Sequence, residues 1–160
     1  MRERRSRLSL TVQYAMPGDD LPARALLRRW SRAALTSNAV VTLRFVDEAE
    51  GRALNRSYRG RDQPTNVLAF VYHDSHGAHG VVGDLVLCAP VMRREAAEQG
   101  KSLAAHCAHL VVHGLLHLQG YDHEHAPEAA RMEAREAAIL AGLGFPDPYR
   151  APARSRRHLS

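Results

Sequence analysis

Cysteine is scarce: the 160 residues contain two, Cys88 and Cys107. They make neither a metal-ligand spacing with each other nor a disulfide framework, and both are expected as buried thiols. Long apolar runs are also lacking. No segment approaches the roughly 20 apolar residues that cross a bilayer, so no membrane partner is expected. The charged start, MRERRSR, leads into alternating polar and apolar residues instead of an apolar h-region, a pattern that points away from secretion and towards the cytoplasm. There is no internal repeat and no sign of a second core. With 45% apolar residues, a chain of this length suits one ordinary globular domain.

The formal charge of +5 is strongly uneven. Residues 1–7 carry net +3 and residues 147–160 carry net +3, which leaves −1 for the stretch between them. The basic excess therefore belongs to two ends expected to be flexible tails, with a single domain over residues 8–146. Such tails can assist phosphate binding or merely solubilise, so the overall charge does not identify a nucleic-acid partner.

Along the chain, Leu8–Tyr14 alternates like a strand, and Leu21–Leu35 carries a helical stripe of Leu26, Leu27, Trp30 and Ala34. Val40–Val46 reads as a second strand. Asp47 followed by Glu50 resembles a capping box that starts a helix running to about Tyr58. A Gly/Pro loop then feeds Val67–Tyr72, which is apolar enough to be read as a buried strand rather than an exposed edge. The polar connection 73–80 carries His73, His76 and His79, read as solvated loop residues. Val81–Cys88 is a fourth strand, Pro90 opens a helix to Gln99, and Ser102 caps a further helix to about Leu118. The last helix, Pro127–Ala141, is closed by Gly142 or Gly144, and the residues from Pro146 onward are expected to be loosely held. The fold class is α+β, a small mixed sheet of about four strands covered by helices, with the Ser102–Leu118 helix central.

That central helix leads into HGLLHLQGYDH, residues 113–123. His113 and His117 are four apart and share one helix face, so they can close on a single ion. Gly120 can take a positive φ at little cost and turn the chain so that His123 supplies a third nitrogen. Three neutral imidazoles suit Zn²⁺ and leave a fourth position open to water, the arrangement of a catalytic site. The gaps match the HExxHxxGxxH ligand frame of metzincin peptidases, but Gly114 stands where those enzymes carry their glutamate base. Peptidase chemistry would lack its proton acceptor.

A second segment, NRSYRGRDQPTNVLAF at residues 55–70, places Arg59 and Arg61 around a tight turn before a strand. A guanidinium fork there can clamp a phosphate, or simply pair with Asp62 at the surface. These residues, with GDLVLC at 83–88, AHLVVHGLLHLQGYDH at 108–123 and MEAREAAILAGLGFPDPY at 132–149, resemble the YbeY family of bacterial endoribonucleases, the rRNA maturation factors. Residues 1–50 match only in their pattern of elements.

The resemblance implies one zinc ion on His113, His117 and His123 and a functional arginine at Arg59. It also implies single-strand-specific cleavage of RNA, a part in ribosomal RNA maturation, notably at the 16S 3′ end, and in ribosome quality control, with the ribosome or its small-subunit proteins as partners. Zinc lowers the pKa of bound water from about 15.7 to about 7 and can polarise a phosphoryl oxygen. His109, four residues before His113, is expected as an outer-shell or proton-transfer residue, and His106 shares its stripe. Asp84 and Asp122 are candidates for orienting a ligand imidazole. Two other functions fit the motifs: a different zinc metallohydrolase of peptidase or amidase type, and a non-catalytic ribosome assembly factor whose zinc is structural.

Overall fold

Alternating side chains, two closely matched β-branched runs and short connections build a mixed sheet whose two faces are covered unequally. The computed structural model describes residues 7–60, 65–72, 80–121 and 126–150. Within them the order is β1 (Leu8–Tyr14), α1 (Arg24–Ala34), β2 (Ala39–Val46), α2 (Glu48–Arg59), β3 (Val67–Val71), β4 (Val81–Cys88), α3 (Ala89–Gln99), α4 (Leu103–Leu118) and α5 (Ala126–Gly142). The strands lie in the order β1-β2-β4-β3. β1 and β2, and β2 and β4, run parallel, while β3 is antiparallel to β4. This is the expected α+β architecture.

Odd-numbered residues of β2 and β4, among them Val41, Leu43, Phe45, Leu85 and Leu87, join one buried cluster with Leu27 and Trp30 of α1 and Val111, Leu115 and Leu116 of α4. Even-numbered Val46, Leu68, Val86 and Cys88 form a smaller cluster with Val91, against which Leu54 and Phe70 pack. Period-2 alternation thus sends α4 to one face and α2 to the other. Most of α4 is interior, from His106 through Leu118, and only its histidine stripe remains half-buried.

Three local expectations change. α1 begins at Arg24, behind Pro22 and an extended Ala23, not at Leu21. At α2, Asp47 accepts from the Glu50 backbone N–H at 2.8 Å, but the Glu50 carboxylate turns to Arg44, at 2.7 and 3.1 Å, so only half of the capping box forms. The third change concerns β3. It is an edge strand, with Val71 half exposed. Its apolar run has a different cause from burial inside the sheet: Leu68 and Phe70 pack under α2, and Val67, Ala69 and Val71 face a cleft beside α4.

Both cysteines are buried free thiols, as expected. Removal from water raises the Cys107 thiol to about 12. Residues 61–64, including Arg61 and Asp62, residues 73–79 with their three histidines, and residues 122–125, including Asp122 and His123, lie outside the described part of the chain, as do both extreme ends.

Candidate active site

Ser102 caps α4, its hydroxyl accepting from the Ala105 N–H at 3.0 Å, and sixteen helical residues follow. At four-residue intervals His109, His113 and His117 form one row along this helix, facing the cleft between α4 and edge strand β3. The cleft has a volume of about 800 Å³ and takes Arg59 from the end of α2, Asn66 and Val67 from β3 and its approach, and Gly120, Tyr121 and Tyr149 from the segments after α4 and α5. The His113 and His117 rings are 4.8 Å apart between centroids and nearly perpendicular at 80°. Of the residues singled out in the sequence, Arg59, His109, His113 and His117 therefore share one cavity.

Gly120 has φ +99° and is exposed, turning the chain beyond α4 as anticipated. Gly114 has a different importance. A Cβ there would lie 2.7 and 2.9 Å from the two methyls of Leu85, a residue with no exposed surface, so the missing side chain is what lets α4 lie on β4. A glutamate at this position would collide with the core.

The carboxylate facing the histidine row is Glu136 of α5, which the sequence reading overlooked in favour of Asp84 and Asp122. Asp84 lies on the even-numbered side of β4 and accepts a hydrogen bond from the Tyr72 hydroxyl. Glu136 has no exposed surface. It accepts from His109 Nε2 at 2.8 Å, from His113 Nδ1 at 2.9 Å and from the Tyr149 hydroxyl at 2.5 Å. Burial alone would raise this carboxyl, but the three hydrogen bonds prevail and pull it down to about 2. Burial and the adjacent carboxylate push the Tyr149 phenol up, keeping its proton in place to donate. Tyr149 thus binds the segment after α5 onto the site, although the sequence suggested a loose tail there.

The signal for Glu136 was an acid inside an apolar stripe. Met132, Glu136, Ile139 and Leu140 share the buried face of α5, where an unpartnered carboxylate would cost several kcal/mol. Such an acid needs donors, and α4 offers them.

His106 points elsewhere: it is buried, and its Nε2 lies 2.8 Å from Glu95 of α3. Both Glu95 oxygens also accept from the Asn66 side chain, at 3.1 and 3.3 Å. His106 therefore braces the β3 approach from behind the cleft.

The donor set suits a metal ion. His109, His113 and Glu136 offer ligand atoms within 4.8 Å of one another and could hold one. An ionised carboxylate only accepts, so the hydrogen on His113 belongs on Nδ1, and the lone pair of the neutral ring on Nε2. That is the tautomer a metal-ligating histidine backed by a carboxylate adopts.

A single-domain α+β protein with a histidine-lined, metal-capable cleft between its central helix and an edge strand is the class that fold and site define. The chain belongs to the family described as Endoribonuclease YbeY, whose model matches residues 21–144. A relative named Endoribonuclease YbeY from Aromatoleum aromaticum is 58% identical over 147 residues, covering 90% of this chain and 94% of the relative. One of the same name from Herminiimonas arsenicoxydans is 56% identical over 150 residues, covering 90% and 96%. A solution structure of a Thermotoga maritima protein shares the fold, with a TM-score of 0.53 at 22% identity over 88% of this chain and 99% of that one.

Proposed function

We propose that this chain is a zinc-dependent endoribonuclease that cuts single-stranded RNA and acts in ribosomal RNA maturation in the cytoplasm. The observation that carries the reading is the convergence of Arg59 and the His109, His113, His117 row on one open cleft, in a chain whose relatives are named endoribonucleases. No helix among the described residues is long and apolar enough to cross a membrane.

His113, His117 and His123 would hold the zinc ion. When bound, the ion supplies an activated water and a Lewis acid for a phosphoryl oxygen. The protein's own residues do the rest. Glu136 fixes the His113 ring and its tautomer, and His109 and Tyr149 hold Glu136 in turn. With His109 Nε2 committed to Glu136, this histidine is a positioning residue. Arg59 binds the scissile phosphate and offsets charge that grows on it in the transition state. Tyr149 beside His109 and Tyr121 beyond Gly120 stand near opposite ends of the histidine row, where bases of an extended strand can stack. The apolar β3 side chains Val67, Ala69 and Val71 form the opposite wall.

The experiment is metal content and cleavage of single-stranded RNA measured on the same samples. His113→Ala is expected to lose both bound zinc and cleavage, and Arg59→Glu to keep zinc and lose cleavage. Full activity in demonstrably zinc-free protein overturns the mechanism. Turnover of peptides without RNA cleavage would instead favour a peptidase, a reading that Gly114 and its contact with Leu85 oppose.

A further inference from the structure

α1 concentrates positive charge in a way the site does not use. Arg24, Arg28, Arg29 and Arg32 are all exposed, and the helix contains no acidic residue. At about 100° per residue the four fall within an arc of roughly 140°, on the side away from the buried Leu27, Trp30, Ser31 and Ala34. Residues 8–146 carry net −1 in total, and α1 contributes +4 of that balance, so the remainder of this stretch is −5. The face is a basic strip on an otherwise acidic body.

Two of the guanidinium groups are held in place. Arg28 Nη2 donates to the Leu8 carbonyl at 3.2 Å, and Arg24 Nη2 donates to the Val12 carbonyl at 3.3 Å while its guanidinium lies 4.9 Å from the Tyr14 ring centroid. Both carbonyls lie on the outer edge of β1, the edge strand opposite β3 in the sheet, since the neighbouring Arg7 carbonyl is the one that accepts from β2. Each of these bonds uses one of an arginine's five N–H donors. Between helix and strand lies a depression of about 370 Å³ lined by Leu10, Thr11, Val12, Arg24, Ala25 and Arg28. Pre-ordered guanidinium forks over an open hollow match phosphate oxygens and lose little side-chain entropy on binding them.

The C-terminal turn of α1 is tied to the segment that follows α4. Gln119 Nε2 donates to the carbonyl of Ala34 in the last turn of α1 at 2.8 Å, and its Oε1 accepts from the Thr36 N–H and hydroxyl, both at 3.1 Å. The residues after Gln119 are Gly120 and Tyr121, which line the cleft. The last turn of α1, which follows Arg32, is thereby tied to the segment that carries those two lining residues.

We propose that the basic face of α1 is a second RNA contact, which binds phosphates of the substrate strand beyond the cleft without reading bases. This rests on the reading of the cleft as an RNA-cutting site. Such a contact adds affinity through counterion release, so it is sensitive to salt and indifferent to sequence.

The test compares the full chain with the double variant Arg29→Gln/Arg32→Gln, which leaves the two strand-anchoring arginines in place. Two substrates are used, a trinucleotide that the cleft alone can hold and a single-stranded RNA long enough to reach α1. The variant is expected to bind the long RNA more weakly, with the slope of log affinity against log salt reduced by about 1.4, or about 0.7 per lost phosphate contact. Its KM for the long RNA should rise while kcat/KM for the trinucleotide and the melting temperature hold. An unchanged slope and KM on the long RNA overturn the proposal. So does a variant that keeps its RNA affinity but loses binding to an acidic protein, because the strip would then be a protein-docking face. Failure of the wild-type chain to cut either RNA counts against the cleft reading alone, since the salt slope of binding still reports on α1.

Discussion

Glu136 of α5 and His113 of α4 are 23 residues apart in the chain and 2.9 Å apart in the fold, carboxylate oxygen to Nδ1. The contact ties the orientation of one helix's imidazole to the position of another helix. Because Glu136 carries no exposed surface, water cannot take its place.

Glu136→Gln is therefore expected to weaken metal affinity and RNA cleavage by roughly 10- to 100-fold, the usual cost of losing a carboxylate behind a ligating histidine. An amide keeps the size but lacks one acceptor oxygen, so one imidazole must turn. Competition with a chromophoric chelator gives the affinity. If the ion instead sits among His109, His113 and Glu136, with Glu136 as a direct ligand, the loss will be far larger, and His117→Ala will leave metal binding intact.

Gly114→Ala tests helix-on-sheet contact. Helix propensity favours alanine by about 1 kcal/mol, while overpacking costs about 1–3 kcal/mol, so a net loss of roughly 1 kcal/mol is expected in urea denaturation. In a Leu85→Ala background the obstructing methyls are gone, and the same substitution should become stabilising. An additive double-mutant cycle would show that the two positions do not touch.

How much of this was legible follows from the range of each signal. The strands, α2, α3 and the capped start of α4 could be read because alternation, Asp47, Pro90 and Ser102 act within a few residues. The histidine row was legible for the same reason, as was the turn at Gly120. Glu136 was not, because its partners come from another helix and its charge disguised a buried position. The edge location of β3 was missed since its apolar residues serve a cleft and a helix, which a run of hydrophobic letters cannot distinguish from two sheet neighbours. Gly114 read as an absent base, and only the β4 register reveals it as room for Leu85.

His106 adds a pH dependence of stability from behind the cleft. Burial holds its pKa below the ordinary 6.5; Glu95 pulls upward and nearby Lys101 and His109 push down. The folded chain therefore resists a proton that the unfolded chain accepts, and the stability gained above the unfolded pKa is lost as pH falls below about 6.5. Melting temperatures measured across that range should fall for wild type and fall less steeply for His106→Gln. Equal slopes would mean that His106 does not titrate differently on folding.

Gly120→Ala probes the turn between His117 and the segment carrying His123. Among the described residues, and apart from its chain neighbours, no atom lies within 4 Å of a Cβ built at Gly120, and φ +99° gives a side chain there a conformational cost. That strain is worth about 1–2 kcal/mol for an L-residue other than glycine, and somewhat less for asparagine, which tolerates positive φ more readily. If the turn is what delivers His123 to the ion, alanine should lower zinc affinity as well as stability, with Gly120→Asn intermediate in both. A variant that loses stability yet binds zinc with wild-type affinity would place the third ligand elsewhere. Zinc titration at several urea concentrations separates the two effects, because strain confined to the turn shifts the unfolding midpoint even in metal-free protein, whereas a displaced ligand shows only when the ion is present.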